Sequence, residues 1–202
     1  MNILLIRHGE TDGNQKGFVQ TADTPLNDVG REQATSLEES LSGRNISKIL
    51  SSDFIRAKQT IEKFASRQNI PCQWSENLRE RDFGELKGKF YKDINSTQVF
   101  KDDFAPPGGE DLEKFEKRVD FAWEQIISAG KPLSGELAII THGLIIKDLL
   151  KRKLLVKDSL RKKYEIVPNT SITIFENKIP YKVLELANTK HLETLNLNKG
   201  IA

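Results

Sequence analysis

Cysteine is almost missing from this 202-residue chain: Cys72 stands alone, so neither an internal disulfide nor a thiolate metal cluster can form. That fits a reducing cytoplasm, and Cys72 itself reads as a buried or half-buried strand residue. Long apolar runs are missing too. No stretch approaches the roughly 20 residues needed to cross a bilayer, and 37% hydrophobic with 30% charged residues describes a soluble globular chain with no membrane partner. The opening run Met1-Asn2-Ile3-Leu4-Leu5-Ile6-Arg7 lacks the basic start, longer apolar core and small-residue cleavage site of a secretory signal, and it reads as a first strand.

Charge of one sign is scarce as well. The formal net charge of +2 argues against a nucleic-acid partner. Lys151-Arg152-Lys153 and Arg161-Lys162-Lys163 make only a local basic region, read as a solvated surface near a helix C-terminus, with steering of anionic substrates as the sharper alternative. There is no glycine loop ending in Lys-Ser or Lys-Thr, no aspartate cluster for magnesium, no His-Glu-x-x-His pair and no internal repeat. A mechanism without metal or cofactor is the expectation.

What is there alternates between strands and helices. Ile3 to Ile6 fits a strand buried on both faces, followed by loop from Gly9 to Gly17. Asn27 reads as the N-cap of a helix carrying Val29, Ala34, Leu37 and Leu41, which stops at Ser42-Gly43. A strand around Lys48 to Leu50 follows, then a helix capped by Ser52 and Asp53 with Arg56 in its first turn. Ile70 to Trp74 reads as a short strand, and Glu76 to Lys89 as a charged excursion without a clean period. After Pro106-Pro107-Gly108-Gly109, a helix presents Leu112, Phe115, Val119, Trp123, Ile126 and Ile127 on one face, with Trp123 in the core. Leu137 to Ile140 is a second fully apolar strand, which Thr141-His142-Gly143 joins to a helix from Leu144 to Leu150. Ser171 to Phe175 and Tyr181 to Leu186 read as a late hairpin at the sheet edge, ahead of a polar tail in which His191 has no assigned role.

This order implies an α/β fold, a mostly parallel central sheet covered by helices on both faces in three layers. One domain over residues 1–202 is expected, with a cap-like excursion at about 76–110. Ligands of such sheets bind beyond the C-terminal strand ends, where Arg7, His8, Arg56 and His142 all fall. Two histidines and two arginines there describe a phosphate site. Guanidinium groups clamp the equatorial oxygens of a phosphoryl group with paired hydrogen bonds, and neighbouring cations keep an imidazole neutral and nucleophilic. Position alone leaves both His8 and His142 open as the nucleophile. An alkoxide leaving group calls for a general acid, for which Glu80, Asp82 and Glu85 are candidates.

These are also the residues by which the chain resembles the histidine phosphatase superfamily, the phosphoglycerate mutase-like family. The likeness runs from Leu5-Ile6-Arg7-His8-Gly9-Glu10-Thr11 through Gln20, Asp23-x-Pro25-Leu26, Ser51-Ser52-Asp53 with Arg56, Leu78-x-Glu80-Arg81 and Pro107-Gly108-Gly109-Glu110 to Thr141-His142-Gly143 and Asn169-Thr170-Ser171. It implies His8 as the phosphorylated nucleophile, Glu80 as proton donor, and Arg7, Arg56 and His142 as the phosphate pocket. It also places Asn14 and Gly143 at the pocket, with Gln20 and Thr21 near the substrate; Thr21 stands where many members have glycine. The runs Leu78 to Gly84, Lys87-Gly88-Lys89 and Pro106 to Glu110 resemble the fructose-2,6-bisphosphatase and broad-specificity phosphatase branch. Phe100-Lys101-Asp102-Asp103-Phe104 stands where cofactor-dependent mutases carry a Trp-Arg-Arg stretch. The implied activity is hydrolysis of phosphomonoesters of small metabolites, such as fructose-2,6-bisphosphate. Phosphoglycerate mutase is the runner-up, ahead of a phosphoprotein phosphatase or a non-catalytic phosphate-binding module.

Overall fold

A computed structural model describes residues 1–94, 99, 101, 104–158 and 167–195. Its elements, in chain order, are β1 (Asn2–Arg7), α1 (Asp12–Lys16), α2 (Asp28–Ser42), β2 (Ile46–Ser52), α3 (Ile55–Arg67), β3 (Cys72–Ser75), α4 (Leu112–Gly130), β4 (Glu136–Thr141), α5 (Gly143–Arg152), β5 (Ile172–Glu176) and β6 (Val183–Asn188). They form one sheet in the order β3-β2-β4-β1-β5-β6. The β3-β2, β2-β4 and β4-β1 pairs are parallel, and β5 and β6 extend the β1 edge antiparallel. Mixed α/β architecture with a mostly parallel sheet between helices is as the alternation requires.

The central strands read as continuous apolar runs because both faces are covered. Ile3 and Leu5 point into one core with Leu50, Leu137 and Ile139, under Phe115, Val119 and Ile126 of α4 and Ile145 and Leu149 of α5. Leu4 and Ile6 point into the other with Ile49, Ala138 and Ile140, under Leu37 and Leu41 of α2 and Ala57, Ile61 and Phe64 of α3. Each fully buried Leu, Ile or Phe contributes about 1.5–3 kcal/mol. Trp123 is half-buried beside the first of these cores, stacked on Phe175 at 5.8 Å and edge-on to Tyr181 at 4.8 Å.

Several boundaries differ from the sequence reading. The segment after β1 is not all loop: Thr11 and Asn14 form a reciprocal capping box that nucleates α1. Helix α3 starts one residue beyond the expected caps, with Phe54 at the N-cap and no side-chain cap. Asp53 is taken instead by the Arg79 guanidinium at 2.8 and 2.5 Å. The tail after β6 coils into a 3-10 turn, Lys190–Leu195. It docks on α2 where the Ser36 hydroxyl donates to the His191 carbonyl at 2.7 Å. In the basic region, Arg152 pairs with Asp148 and Asp120, and Lys153 with Asp120. Arg161, Lys162, Lys163, Phe100, Asp102 and Asp103 lie outside the described residues.

The excursion after β3 is built from 3-10 turns at Glu76–Leu78, Gly84–Leu86 and Tyr91–Asp93. It is tied to the segment after α1 by a short antiparallel ribbon, with the Val19 amide on the Lys89 carbonyl at 3.0 Å and the Tyr91 amide on the Gly17 carbonyl at 2.8 Å. A separate small apolar cluster of Val19, Phe83 and Val99 backs this ribbon. Among the described residues no helix is long and apolar enough to cross a membrane.

Candidate active site

Register brings the two histidines together. In the parallel β1-β4 pair Arg7 stands opposite Thr141, so the residues that follow, His8 and His142, leave the sheet side by side with ring centroids 5.0 Å apart. The His8 amide donates to the Thr141 carbonyl at 3.0 Å. Behind it, Asn169 donates to the His8 carbonyl at 2.9 Å, and the amide of Thr170, held at φ 53°, donates to the Arg7 carbonyl at 3.0 Å. The turn at 169–170 therefore braces the strand end that carries the catalytic candidate.

His8 Nδ1 lies 2.7 Å from the Gly9 carbonyl, an oxygen that only accepts, so Nδ1 carries the proton and Nε2 keeps the lone pair. Burial, and then the charges of Arg56 and Arg7, hold the His8 pKa well below its ordinary value. His142 is fully buried and shifted the same way by burial, Arg56, His8 and Arg7. Its Nε2 is engaged by the Ser52 hydroxyl at 2.8 Å, at the end of neighbouring β2.

Among the described residues each arginine has a single hydrogen-bonded anchor. Arg7 Nη1 donates to the Val167 carbonyl at 2.5 Å, and Arg56 Nη1 to the Thr21 carbonyl at 2.7 Å. Burial lowers the Arg56 pKa to about 10, which still leaves it charged at neutral pH. Arg7 Nε, Arg56 Nε and His142 Nδ1 are buried without a hydrogen-bond partner among the described residues. Unsatisfied buried donors cost about 1–3 kcal/mol each. Arg7 and Arg56 line the cleft and His142, its ring 5.0 Å from that of His8, does not; the two guanidinium donors with the buried imidazole beside them describe a seat for an anion.

Glu80 comes to the same spot from the excursion. Its Oε2 accepts from the Leu144 amide at the start of α5 at 3.1 Å, and its Oε1 from the Arg81 amide at 3.0 Å. A Cβ placed on Gly143 would lie 3.8 Å from both Glu80 Oε2 and Arg7 Nε, so the carboxylate borders the arginine pocket. The other two acid candidates are placed differently. Asp82 also lines the cleft, but its carboxylate is spent on Lys87 at 2.7 Å and the Gly84 amide at 2.7 Å, and Glu85 is not among the residues lining the cleft.

That cleft, about 1350 Å³, is lined by Arg7, His8, Asn14, Gln20, Arg56, Glu80 and Gly143 among others. Asn14 faces it with its Oδ1 occupied by Thr11 and Asn169, which leaves its amide nitrogen for a ligand. Thr21 is exposed and is not a cleft residue; its amide is taken by the Thr24 hydroxyl at 3.0 Å and its carbonyl by Arg56. The sequence reading gave Ser52 only a helix-capping role and gave Tyr91, Glu110 and Arg118 no role in the site. Tyr91 lines the cleft from the ribbon, close enough to Glu80, Arg7 and Arg56 to feel their charges, and burial pushes its phenol pKa up. No periodicity marks these positions, because they act through folded contacts far apart in sequence.

Chemically, the arrangement offers a neutral imidazole with a free lone pair, guanidinium and imidazole donors around one anion seat, and a carboxyl at its rim. Residues 3–189 match the family model of the histidine phosphatase superfamily (branch 1). The chain is 31% identical over 206 residues to a broad-specificity phosphatase of Saccharomyces cerevisiae, spanning 95% of this chain and 87% of that one. It is 34% identical over 186 residues to phosphoglycerate mutase-like protein 4 of Arabidopsis thaliana, covering 86% and 78%. In fold it matches a mycobacterial glucosyl-3-phosphoglycerate phosphatase at a TM-score of 0.78 with 23% identity, over 93% of this chain and 99% of the other. The phosphatase relatives and the pocket together support phosphoric monoester hydrolysis as the reaction class, and this chain belongs to the histidine phosphatase superfamily, branch 1.

Proposed function

We propose that the chain hydrolyses phosphomonoesters of small metabolites, sugar phosphates among them, through a phosphohistidine on His8 and without a metal ion. The observation that carries this reading is the His8 Nδ1 bond to the Gly9 carbonyl, which leaves Nε2 as the nucleophilic nitrogen beside the three orphaned donors.

In the first step His8 Nε2 attacks phosphorus and the ester P–O bond breaks. Glu80 gives its proton to the departing alkoxide. Arg7, Arg56 and His142 Nδ1 hold the equatorial oxygens and take up the charge that builds on them. Phosphorylation makes the His8 ring cationic, and the Gly9 carbonyl on Nδ1–H stabilises that cation. In the second step Glu80, now a carboxylate, takes a proton from water, the water oxygen bonds to phosphorus, the P–N bond breaks and phosphate leaves. The two guanidinium groups supply the positive charge that a metal ion supplies elsewhere.

The test is phosphate release in excess EDTA across aryl phosphate, phosphoglycerates, fructose bisphosphates and phosphopeptides, with acid-labile phosphoenzyme trapped in parallel. Release and label are both expected to vanish in His8→Ala. Release that persists in that variant overturns the nucleophile. Transfer of phosphate within a phosphoglycerate without its release assigns a mutase instead.

A further inference from the structure

Arg118 on α4 spends all five of its guanidinium hydrogens, three on carbonyls of the segment that carries Glu80 and two on the Glu110 carboxylate. Nε donates to Glu110 Oε1 at 2.7 Å, and Nη1 to the carbonyls of Asn77 at 2.9 Å and Arg79 at 2.8 Å. Nη2 donates to Glu110 Oε2 at 2.7 Å and to the Glu80 carbonyl at 3.3 Å. A guanidinium has five N–H donors in a fixed fork and an ammonium three on a point, so this set is open to arginine alone. Glu110 completes the frame. Its Oε2 accepts from the Asp82 amide at 2.9 Å, and its own amide donates to the Asp82 carbonyl at 2.8 Å. The two side chains are only 18% and 17% exposed, so the pair is little screened by solvent.

We propose that the Arg118–Glu110 pair is a positioning device: it locks the main chain on both sides of Glu80, so that the carboxyl meets the leaving oxygen at the Leu144 end of α5. Around Glu80 the segment has no regular secondary structure beyond single 3-10 turns, so its shape rests on side-chain bonds, these together with Thr141 Oγ1 on the Leu78 carbonyl at 2.7 Å and Arg79 on Asp53. Neither residue is required to touch the phosphoryl group. The inference rests on Glu80 as the proton donor, and the test below separates the two.

The experiment compares the rate of phosphoenzyme formation, the first step alone, by rapid quench for Arg118→Lys and Glu110→Gln on an alkyl phosphate, glycerol phosphate, and on an aryl phosphate whose leaving group needs no proton. The water step that follows is common to both esters and also uses Glu80. Each variant is also made in a Glu80→Gln background. Misplacement of a catalytic group by about 1 Å costs about a hundredfold. The expected result is therefore a loss of about tenfold to a hundredfold in the phosphorylation rate on the alkyl ester, little change in that rate on the aryl ester, an unchanged half-saturating concentration, and no further loss when Glu80→Gln is already present. Loss of folded protein lowers both esters alike, so equal losses overturn the proposal, as do losses that multiply with that of Glu80→Gln. If Glu80→Gln is itself unselective, the acid role falls and the device with it. If Glu80→Gln is selective and the other two are not, only the device falls. Should Arg118→Lys not fold, Glu110→Gln, which keeps the side-chain shape, decides the matter alone.

Discussion

The Ser52 hydroxyl lies 2.8 Å from His142 Nε2, joining the end of β2 to the end of β4 beneath the anion seat. Ser52 Oγ also accepts from the Phe54 amide at 3.3 Å, so its own hydrogen is available to His142 Nε2. That tautomer puts a proton on the orphaned Nδ1, where a phosphoryl oxygen needs a donor. Ser52→Ala is expected to leave the fold intact and lower kcat about tenfold to a hundredfold, because the ring loses its orienting partner. The check is steady-state kinetics with nitrogen NMR of the His142 ring; an unchanged tautomer with unchanged kcat refutes it.

Arg56→Lys keeps a positive charge but loses the fork that reaches from the Thr21 carbonyl into the pocket. The remaining ammonium cannot present two parallel donors to a phosphoryl group. A fall in kcat/KM of about a hundredfold to a thousandfold is expected, the magnitude typical of one lost transition-state donor. Full activity in the lysine variant would show that charge alone suffices.

All three histidines titrate below their ordinary value of 6.5: His8 and His142 well below, and His191 at about 4, each chiefly through burial. Below pH 6.5 the unfolded chain binds protons that the folded chain does not. The stability these groups contribute is full above that value and is lost as pH falls from 6.5 towards their folded values. Urea midpoints should therefore decline between about pH 7 and pH 5, before most carboxylates titrate, and less steeply in His191→Asn. A midpoint flat or rising over that interval contradicts the burial of these rings.

Gly30 sits where a Cβ would lie 2.0 Å from the Glu10 carbonyl oxygen, and Gly9 where one would lie 2.8 Å from the Gly30 carbonyl oxygen. The backbone after His8 thus rests directly on the first turn of α2. Gly30→Ala is expected to destabilise the fold by about 1–3 kcal/mol through overpacking, and to reduce turnover by displacing the Gly9 carbonyl from His8 Nδ1. Denaturation and kcat measured on the same variant check both parts.

Much of the fold was legible along the chain. Continuous apolar runs at Ile3–Ile6 and Leu137–Ile140 marked strands buried on both faces, and the helical spacing of Phe115, Val119 and Ile126 marked the packed face of α4. The start of α3 was not, because Phe54 caps it without a side-chain bond and Asp53 answers to Arg79 from the excursion. His191 had no local pattern either. It is held by the Thr170 hydroxyl at 3.1 Å, at the same turn that braces His8.

The sequence by itself determined the strand ends that carry Arg7, His8 and His142 and the helix turn that carries Arg56, since periodicity and turn residues act over a few neighbours. Only the tertiary structure decided which nitrogen of His8 is free, which acid borders the arginines, and that Ser52, Glu110 and Arg118 hold those groups in place. The acid and the braces depend on strand register and on hydrogen bonds such as Ser52 to His142, Leu144 to Glu80 and Arg118 to Asn77, between residues tens of positions apart; the His8 nitrogen depends on where the folded turn aims the carbonyl of the very next residue.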